Sequence, residues 1–115
     1  MNQFLLIFRG GAITQKDLAP QKLQEHLAKW GAWMVELEKS GNLLGANALE
    51  NNGRAIRGSR KSVTDGPFTE AKDLLSGYTL IKAQDLNEAA QIALDCPIYE
   101  YDGSVEVRPV RMMKR

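Results

Sequence analysis

Apolar and polar positions along the chain recur with two different periods, which predict strands and helices in alternation. Phe4 to Phe8 is a short run of strand-forming residues that stops at Gly10-Gly11, so it predicts a first strand. Between Pro20 and Ser40, apolar side chains recur at the spacing of one helix face, and Gly41 then supplies a left-handed stop. The members of this stripe are Leu23, Leu27, Trp30, Met34 and Leu37. The pattern predicts one amphipathic helix.

The middle of the chain predicts a strand, a hairpin and an irregular loop. Leu43 to Glu50 is strand-like, and Asn51-Asn52-Gly53 ends in the Asn-Gly pair that accepts positive φ in tight hairpin turns. The chain is therefore expected to turn back through residues 54–57. From Gly58 to Ser76 the sequence is polar and irregular, with room for a short helix over Thr69 to Leu75.

The last third of the chain repeats the order strand, helix, strand. Gly77 to Ala83 has the composition of a strand. Asp85 and Glu88 form a capping pair that predicts the start of a second helix, and Pro97 ends it. A final strand is predicted after the turn at Asp102-Gly103.

This order of elements predicts an α+β fold of the ferredoxin-like βαββαβ type, with an inserted hairpin and loop. Both helices are expected on one face of a four-stranded antiparallel sheet. Phe4 to Phe8 and Tyr78 to Ile81 nevertheless place apolar groups on both faces. A second copy of the chain is the simplest cover for the other face, so a homodimer with its sheets face to face is expected.

Length, charge and cysteine content narrow the class of protein. The 115 residues predict a single domain over 1–115. A net charge of +1 gives no overall field that would attract nucleic acid or an anionic membrane, so neither is expected as a partner. The apolar run at Phe4 to Phe8 is too short for a signal peptide, and a cytoplasmic location is expected.

The sequence carries no recognisable cofactor or metal motif. Cys96 is the single cysteine, which excludes an internal disulfide and a cysteine-based zinc site. Its position beside Pro97 favours a small helix-end residue over a nucleophile. Phosphate-binding glycine loops and dinucleotide fingerprints do not occur either, so we predict neither a cofactor nor a metal.

Two motifs follow one another in the second half of the chain. The first runs Val63-Thr64-Asp65-Gly66-Pro67-Phe68-Thr69-Glu70-Ala71-Lys72 and precedes Gly77-Tyr78, and the second is Val105-Glu106-Val107-Arg108-Pro109-Val110. Together they resemble the YCII-related family, in its DGPF-motif branch. The resemblance implies a dimeric α/β barrel of ferredoxin-like protomers and an enzyme-like His-Asp pair in a cleft. It also implies an association with extracytoplasmic-function sigma factors.

The first predicted helix carries a cluster of chemically useful side chains. At about 100° per residue, His26 and Trp33 share one shoulder of the apolar stripe, with Trp30 inside the stripe and Lys29 just beyond it. A histidine between two indoles can serve as a general acid or base, and these neighbours then line a ligand pocket. The alternative is that both tryptophans pack in the core or dimer interface and His26 is a half-exposed helix residue.

Three further residues are candidates outside that helix. Asp65 is predicted as a second catalytic group that acts as a base or orients the imidazole, although an Asp before Gly also caps its own turn. Arg57 belongs to a basic cluster that can hold an anionic substrate or, alternatively, form a solvated edge strand. Tyr78 is the remaining candidate ligand contact.

Two functions of different classes remain open from the sequence. The first is a small-molecule enzyme of lyase, isomerase or hydrolase type, with His26 and Asp65 converging in a cleft. The second is a non-catalytic module that binds a small molecule or a regulatory protein. The second is favoured by the lack of a complete catalytic set and by the implied sigma-factor association.

Overall fold

The computed structural model describes residues 2–12, 18–66 and 73–113. The elements in chain order are β1 (Asn2–Arg9), α1 (Pro20–Lys39), β2 (Leu43–Ala48), β3 (Gly53–Arg57), β4 (Ser62–Gly66), β5 (Leu75–Ala83), α2 (Leu86–Leu94), a 3₁₀ helix (Pro97–Tyr101) and β6 (Ser104–Pro109). Within these ranges, no helix combines enough length with enough apolar character to span a bilayer.

Four strands form one antiparallel sheet in the order β2-β5-β1-β6. β1 is central: Leu6 lies opposite Thr79 of β5 on one side and opposite Val107 of β6 on the other. One helix follows β1 and the other follows β5, which is the βαββαβ order of the ferredoxin-like arrangement. The prediction of an α+β fold with antiparallel sheets and two α-helices is confirmed for the described residues.

The core lies on the face of the sheet that meets the helices. Alternate residues of β1, Phe4, Leu6 and Phe8, are buried there, and Ile81 and Ala83 of β5 join them. The helices complete this cluster with Trp33, Leu37, Ala89 and Ala93. The alternation is what a pleated strand with one buried face requires.

The buried side of α1 differs from the predicted stripe. Leu23 and Leu27 are 37% and 56% exposed, whereas His26 and Trp33 are only 2% and 7% exposed. The helix is therefore turned so that His26 points into the protein, and the alternative of a half-exposed His26 is wrong. A histidine can be buried here because both ring nitrogens have hydrogen-bond partners.

The inserted hairpin also differs from its prediction. β3 pairs with β4 in a separate two-stranded sheet, so Asn52-Gly53 does not close a hairpin between β2 and β3. The turn lies instead between Gly58 and Lys61, whose φ angles are +74° and +55°. Because this stretch is polar, the sequence predicted a loop and not the strand β4. β5 begins at Leu75, and residues 69–72 of the predicted short helix lie outside the described residues.

Candidate functional site

A cavity of about 710 Å³ lies beside the first half of α1, next to the end of β1 and the 3₁₀ helix. Its walls are mostly apolar, with side chains from Leu23, Leu27, Trp30 and Ile98. Two polar side chains, His26 and Ser76, also line it. This volume lies within the range typical of small-molecule sites, roughly 300–1,000 Å³.

His26 is buried at the wall of this cavity, and both of its ring nitrogens have hydrogen-bond partners. Nδ1 lies 2.9 Å from Oε1 of Glu100, and Nε2 lies 2.9 Å from Nε1 of Trp30. An indole N–H can only donate, so Nε2 of His26 is the acceptor and carries no proton. The proton is therefore on Nδ1 and is donated to the Glu100 carboxylate. His26 is a neutral imidazole held in one tautomer.

Aromatic rings fix the orientation of the imidazole. The Tyr101 ring meets His26 edge-on, with 4.9 Å between ring centroids and 85° between planes. Trp30 adopts a similar edge-to-face arrangement at 6.3 Å and also packs against Trp33 at 5.6 Å. Such T-shaped contacts are favourable for aromatic rings, so the imidazole plane is constrained on two sides.

Glu100 links the buried imidazole to the protein surface. Its second oxygen, Oε2, accepts a hydrogen bond from Nζ of Lys29, one helical turn beyond His26 on α1. The hydrogen bond from Lys29, and then that from His26, lowers the pKa of Glu100. The hydrogen bond between Lys29 and Glu100 also raises the pKa of Lys29. Glu100 is thus a charged carboxylate that orients His26 and pairs with Lys29.

The 3₁₀ helix that carries Glu100 is fixed by contacts on both sides. Ile98 is buried, and the Tyr99 hydroxyl donates to the carbonyl of Ala93 at the end of α2, over 2.9 Å. The Gly103 N–H donates to the Ile98 carbonyl over 3.1 Å. A Cβ at Gly103 would overlap the Ile98 side chain, so glycine permits the close turn into β6. These contacts place Glu100 opposite α1.

Ser76 reaches the cavity at an irregularity in β5. Phe8 of β1 pairs with Gly77, and Arg9 pairs with Leu75, which leaves Ser76 without a residue opposite it. This extra residue is a β-bulge, a feature that re-aims a side chain. Ser76 is 7% exposed, and no side-chain hydrogen bond joins its hydroxyl to another described residue.

Asp65, predicted as the second catalytic residue, lies away from these contacts. It is in β4 of the separate hairpin, its side chain is 87% exposed, and its Oδ1 lies 3.4 Å from Nε of Arg54. Both nitrogens of His26 are taken by Glu100 and Trp30. The structure therefore joins His26 to Glu100 and not to Asp65, because the predicted loop folds as a hairpin of its own.

The candidate ligand contacts lie in different parts of the molecule. Lys29 and Trp30 contact His26 or Glu100 and form, with these two residues and Tyr101, the His26 cluster. Of Lys29 and Trp30, only Trp30 also lines the cavity. Trp33 lies behind them in the core, where its indole N–H donates to the Ile92 carbonyl over 3.3 Å. Arg57 lines a separate cavity of about 430 Å³ beside the hairpin, together with Arg9 and Arg54. No contact among the described residues joins Arg57 to His26.

Tyr78 and Cys96 also lie apart from the His26 cluster. The Tyr78 hydroxyl accepts a hydrogen bond from Nδ2 of Asn47 over 3.1 Å, beside a third cavity of about 540 Å³. Cys96 is buried, and burial raises the pKa of its thiol to about 12. Cys96 is therefore a neutral thiol near pH 7, in keeping with a packing role. No group of three or more potential metal ligands occurs among the residues that the structure describes.

Glu100 is the site residue that sequence reasoning missed. It is 74 positions from His26, so no local spacing connects the two. The available signal is weak: Pro97 occupies the first turn of the 3₁₀ helix, a position that proline favours, but a proline at this point equally predicts only the end of α2.

Comparisons with known proteins give the following similarities. The family model described as the YCII-related domain matches residues 9–114. An uncharacterized protein of Rhizobium meliloti (strain 1021) is 43% identical over 53 residues, which cover 45% of this chain and 43% of that protein. The match thus spans less than half the length of this relative.

One similar solved structure is 5-chloro-2-hydroxyhydroquinone dehydrochlorinase (TftG) from Burkholderia phenoliruptrix AC1100, in complex with 2,5-dihydroxybenzoquinone. It is 16% identical, with a TM-score of 0.45 over 94% of this chain and 93% of that chain.

Proposed function

This chain belongs to the YCII-related domain family, and we propose that it is a small-molecule enzyme whose substrate binds in the cavity beside His26. The observation that carries the proposal is the hydrogen-bonded series Glu100, His26, Trp30 at the cavity wall. A carboxylate that holds the proton on Nδ1 leaves Nε2 as the basic nitrogen, as in other carboxylate-oriented histidines. His26 is then the general base and Glu100 its positioning residue.

Trp30 determines when that base is available. Its indole N–H occupies the lone pair of His26 Nε2, and its ring also lines the cavity. A substrate that moves the indole leaves Nε2 facing the ligand. Nε2 then takes a proton from the substrate, and the resulting imidazolium is stabilised by Glu100, which pairs with Lys29 on its other side. Proton abstraction of this kind suits lyase or isomerase chemistry, and activation of a water suits hydrolysis.

The second candidate is a non-catalytic binding module, and the same indole contact favours it. If Trp30 keeps its hydrogen bond when a ligand is present, His26 has no free basic nitrogen and serves only to shape the cavity wall. A regulatory protein as partner belongs to this candidate. The proposal of a protein partner rests on the DGPF-type motif. Asp65 and Gly66 of this motif end β4, and residues 67–72 lie outside the described ranges.

A homodimer in the cytoplasm is also part of the proposal. On the sheet face opposite the helices, Leu5 lies across from Leu80 and Ile7 across from Tyr78, and all four are half-buried. These apolar cross-strand pairs suit a second sheet of the same kind. Sedimentation of the wild type is expected to show a dimer that Leu80→Glu dissociates and that Leu94→Glu, on the exposed side of α2, leaves intact.

The test follows the Trp30 indole by NMR. The chain has two tryptophans, so its two indole N–H signals can be assigned with Trp33→Phe. We expect a metabolite mixture to contain a component that shifts the Trp30 signal. Its turnover, followed by mass spectrometry, should be lost in His26→Gln. Binding without turnover by the wild type supports the non-catalytic candidate, and an unshifted Trp30 signal contradicts small-molecule binding in this cavity under either candidate.

A further inference from the structure

The bulge in β5 places one unpaired hydroxyl at an otherwise mostly apolar wall. Ser76 is 93% buried, since it is 7% exposed, and its hydroxyl makes no side-chain hydrogen bond to the described residues. Because Ser76 lines the cavity, its hydroxyl can form a hydrogen bond with a molecule bound there. The neighbouring register explains why it is there: with Gly77 opposite Phe8 and Leu75 opposite Arg9, Ser76 is the extra residue.

The rest of the cavity defines the body of a suitable ligand. Leu23, Leu27, Trp30 and Ile98 present aliphatic and aromatic surface, which favours an apolar skeleton of one or two rings. Burying a full charge against such surface is unfavourable unless an opposite charge pairs with it. The charged carboxylate of Glu100 is not available for that purpose, because its oxygens already accept from His26 and Lys29.

We infer that Ser76 is a specificity-determining residue that selects compact, uncharged, mostly apolar molecules bearing a hydroxyl or carbonyl oxygen. A hydroxyl of serine both donates and accepts, so either oxygen function satisfies it. A ligand of the same skeleton without the oxygen leaves Ser76 unpaired and binds less well for that reason. This inference deepens the proposed function, because it rests on small-molecule binding in the same cavity.

The experiment uses a matched pair of probes, 2-indanol and its oxygen-free counterpart indane, with affinities measured by NMR titration of the Trp30 indole signal. A neutral hydrogen bond contributes about 1 kcal/mol, which is roughly a fivefold change in affinity. Ser76→Ala is therefore expected to weaken 2-indanol binding by about five- to tenfold and to change indane binding by less than about twofold. Ser76→Thr keeps the hydroxyl and should retain the preference.

Ser104→Ala is the matched control, because Ser104 is an exposed serine at the start of β6, away from the cavity. It should leave both affinities at wild-type values. If Ser76→Ala weakens both probes equally or neither, the selective role of Ser76 is overturned while small-molecule binding stands. If the wild type binds neither probe, the selective role falls together with the cavity as a site for such molecules.

Discussion

The indole N–H of Trp30 donates to Nε2 of His26 over 2.9 Å, and this contact identifies Nδ1 as the ring nitrogen of His26 that carries the proton. We expect ¹⁵N NMR of the imidazole to show the Nδ1–H tautomer. Trp30→Phe removes the donor and should shift the Nε2 signal, whereas the proton stays on Nδ1 because the Glu100 carboxylate still accepts from it. Trp33→Phe is the control, because the Trp33 indole donates elsewhere, to the Ile92 carbonyl. A wild-type spectrum with the proton on Nε2 would contradict the assignment.

The ion pairs of Glu100 predict a stability difference that depends on pH. The pKa of Glu100 is lowered, chiefly by the hydrogen bond from Lys29 and then by that from His26. The contribution of Glu100 to the stability of the folded state is therefore fully present above the ordinary pKa of 4.5. That contribution is lost as the pH falls through the lowered value. The difference in melting temperature between the wild type and Glu100→Gln should therefore be largest near neutral pH and shrink in acid.

Lys29 sets the upper pH limit of the range in which the Glu100 ion pairs stabilise the fold. Its pKa is raised above 10.5, chiefly by the hydrogen bond to Glu100, so its contribution is present below 10.5 and is lost at more alkaline pH. Glu38→Gln, which removes an exposed carboxylate from α1, controls for the change in net charge. A melting difference for Glu100→Gln that stays constant from neutral pH into acid would show that the ion pairs add nothing.

Trp33 is expected to be a packing residue. It is 7% exposed, and its ring packs edge-on against Phe8 at 6.3 Å between centroids. Removing a buried indole should lower the free energy of unfolding by roughly 3–5 kcal/mol in Trp33→Ala, measured by urea denaturation. A variant of nearly unchanged stability that no longer binds ligand would instead support the sequence-based prediction of a pocket residue.

Thr79 carries a buried hydroxyl that lacks a partner. It is fully buried on the helix side of β5, and its Oγ1 has no hydrogen bond among the described residues. Thr79→Val removes the unsatisfied hydroxyl while keeping the β-branched shape, so thermal or urea unfolding should show a gain of about 1 kcal/mol. Thr64→Val, in the exposed strand β4, should change stability far less. A loss of stability in Thr79→Val would indicate that the hydroxyl has a partner in solution.

The sequence predicted the elements whose determinants are local. Asp85 accepts a hydrogen bond from the Glu88 backbone N–H over 2.8 Å, as the capping pair requires, and α2 begins where that pair predicted. Gly41 has a φ of +80° just after α1, as expected for a helix stop. These features depend on residues within one or two turns of each other, so they can be recognised without knowledge of the fold.

The features that escaped prediction depend on distant contacts. The burial of His26 is stabilised by Glu100, on an element that packs against α1 only once the chain has folded. The helical period of apolar residues predicted that Leu23 and Leu27 lie in the core, but the structure buries His26 instead. A histidine can occupy a buried helix face when its ring nitrogens are hydrogen-bonded, and the period of apolar residues does not reveal this. The Ser76 bulge likewise depends on the register against β1, which no single strand sequence specifies.

The β3-β4 hairpin has a consequence for how the protein opens. In the described structure its strands pair only with each other, and Ile56 and Val63 are 66% and 56% exposed. An isolated hairpin is marginally stable, whereas β1 is bonded on both sides and buried on one face. The backbone amides of the hairpin should therefore exchange with deuterated solvent long before those of β1, through an opening that leaves the four-stranded sheet and the His26 cavity intact.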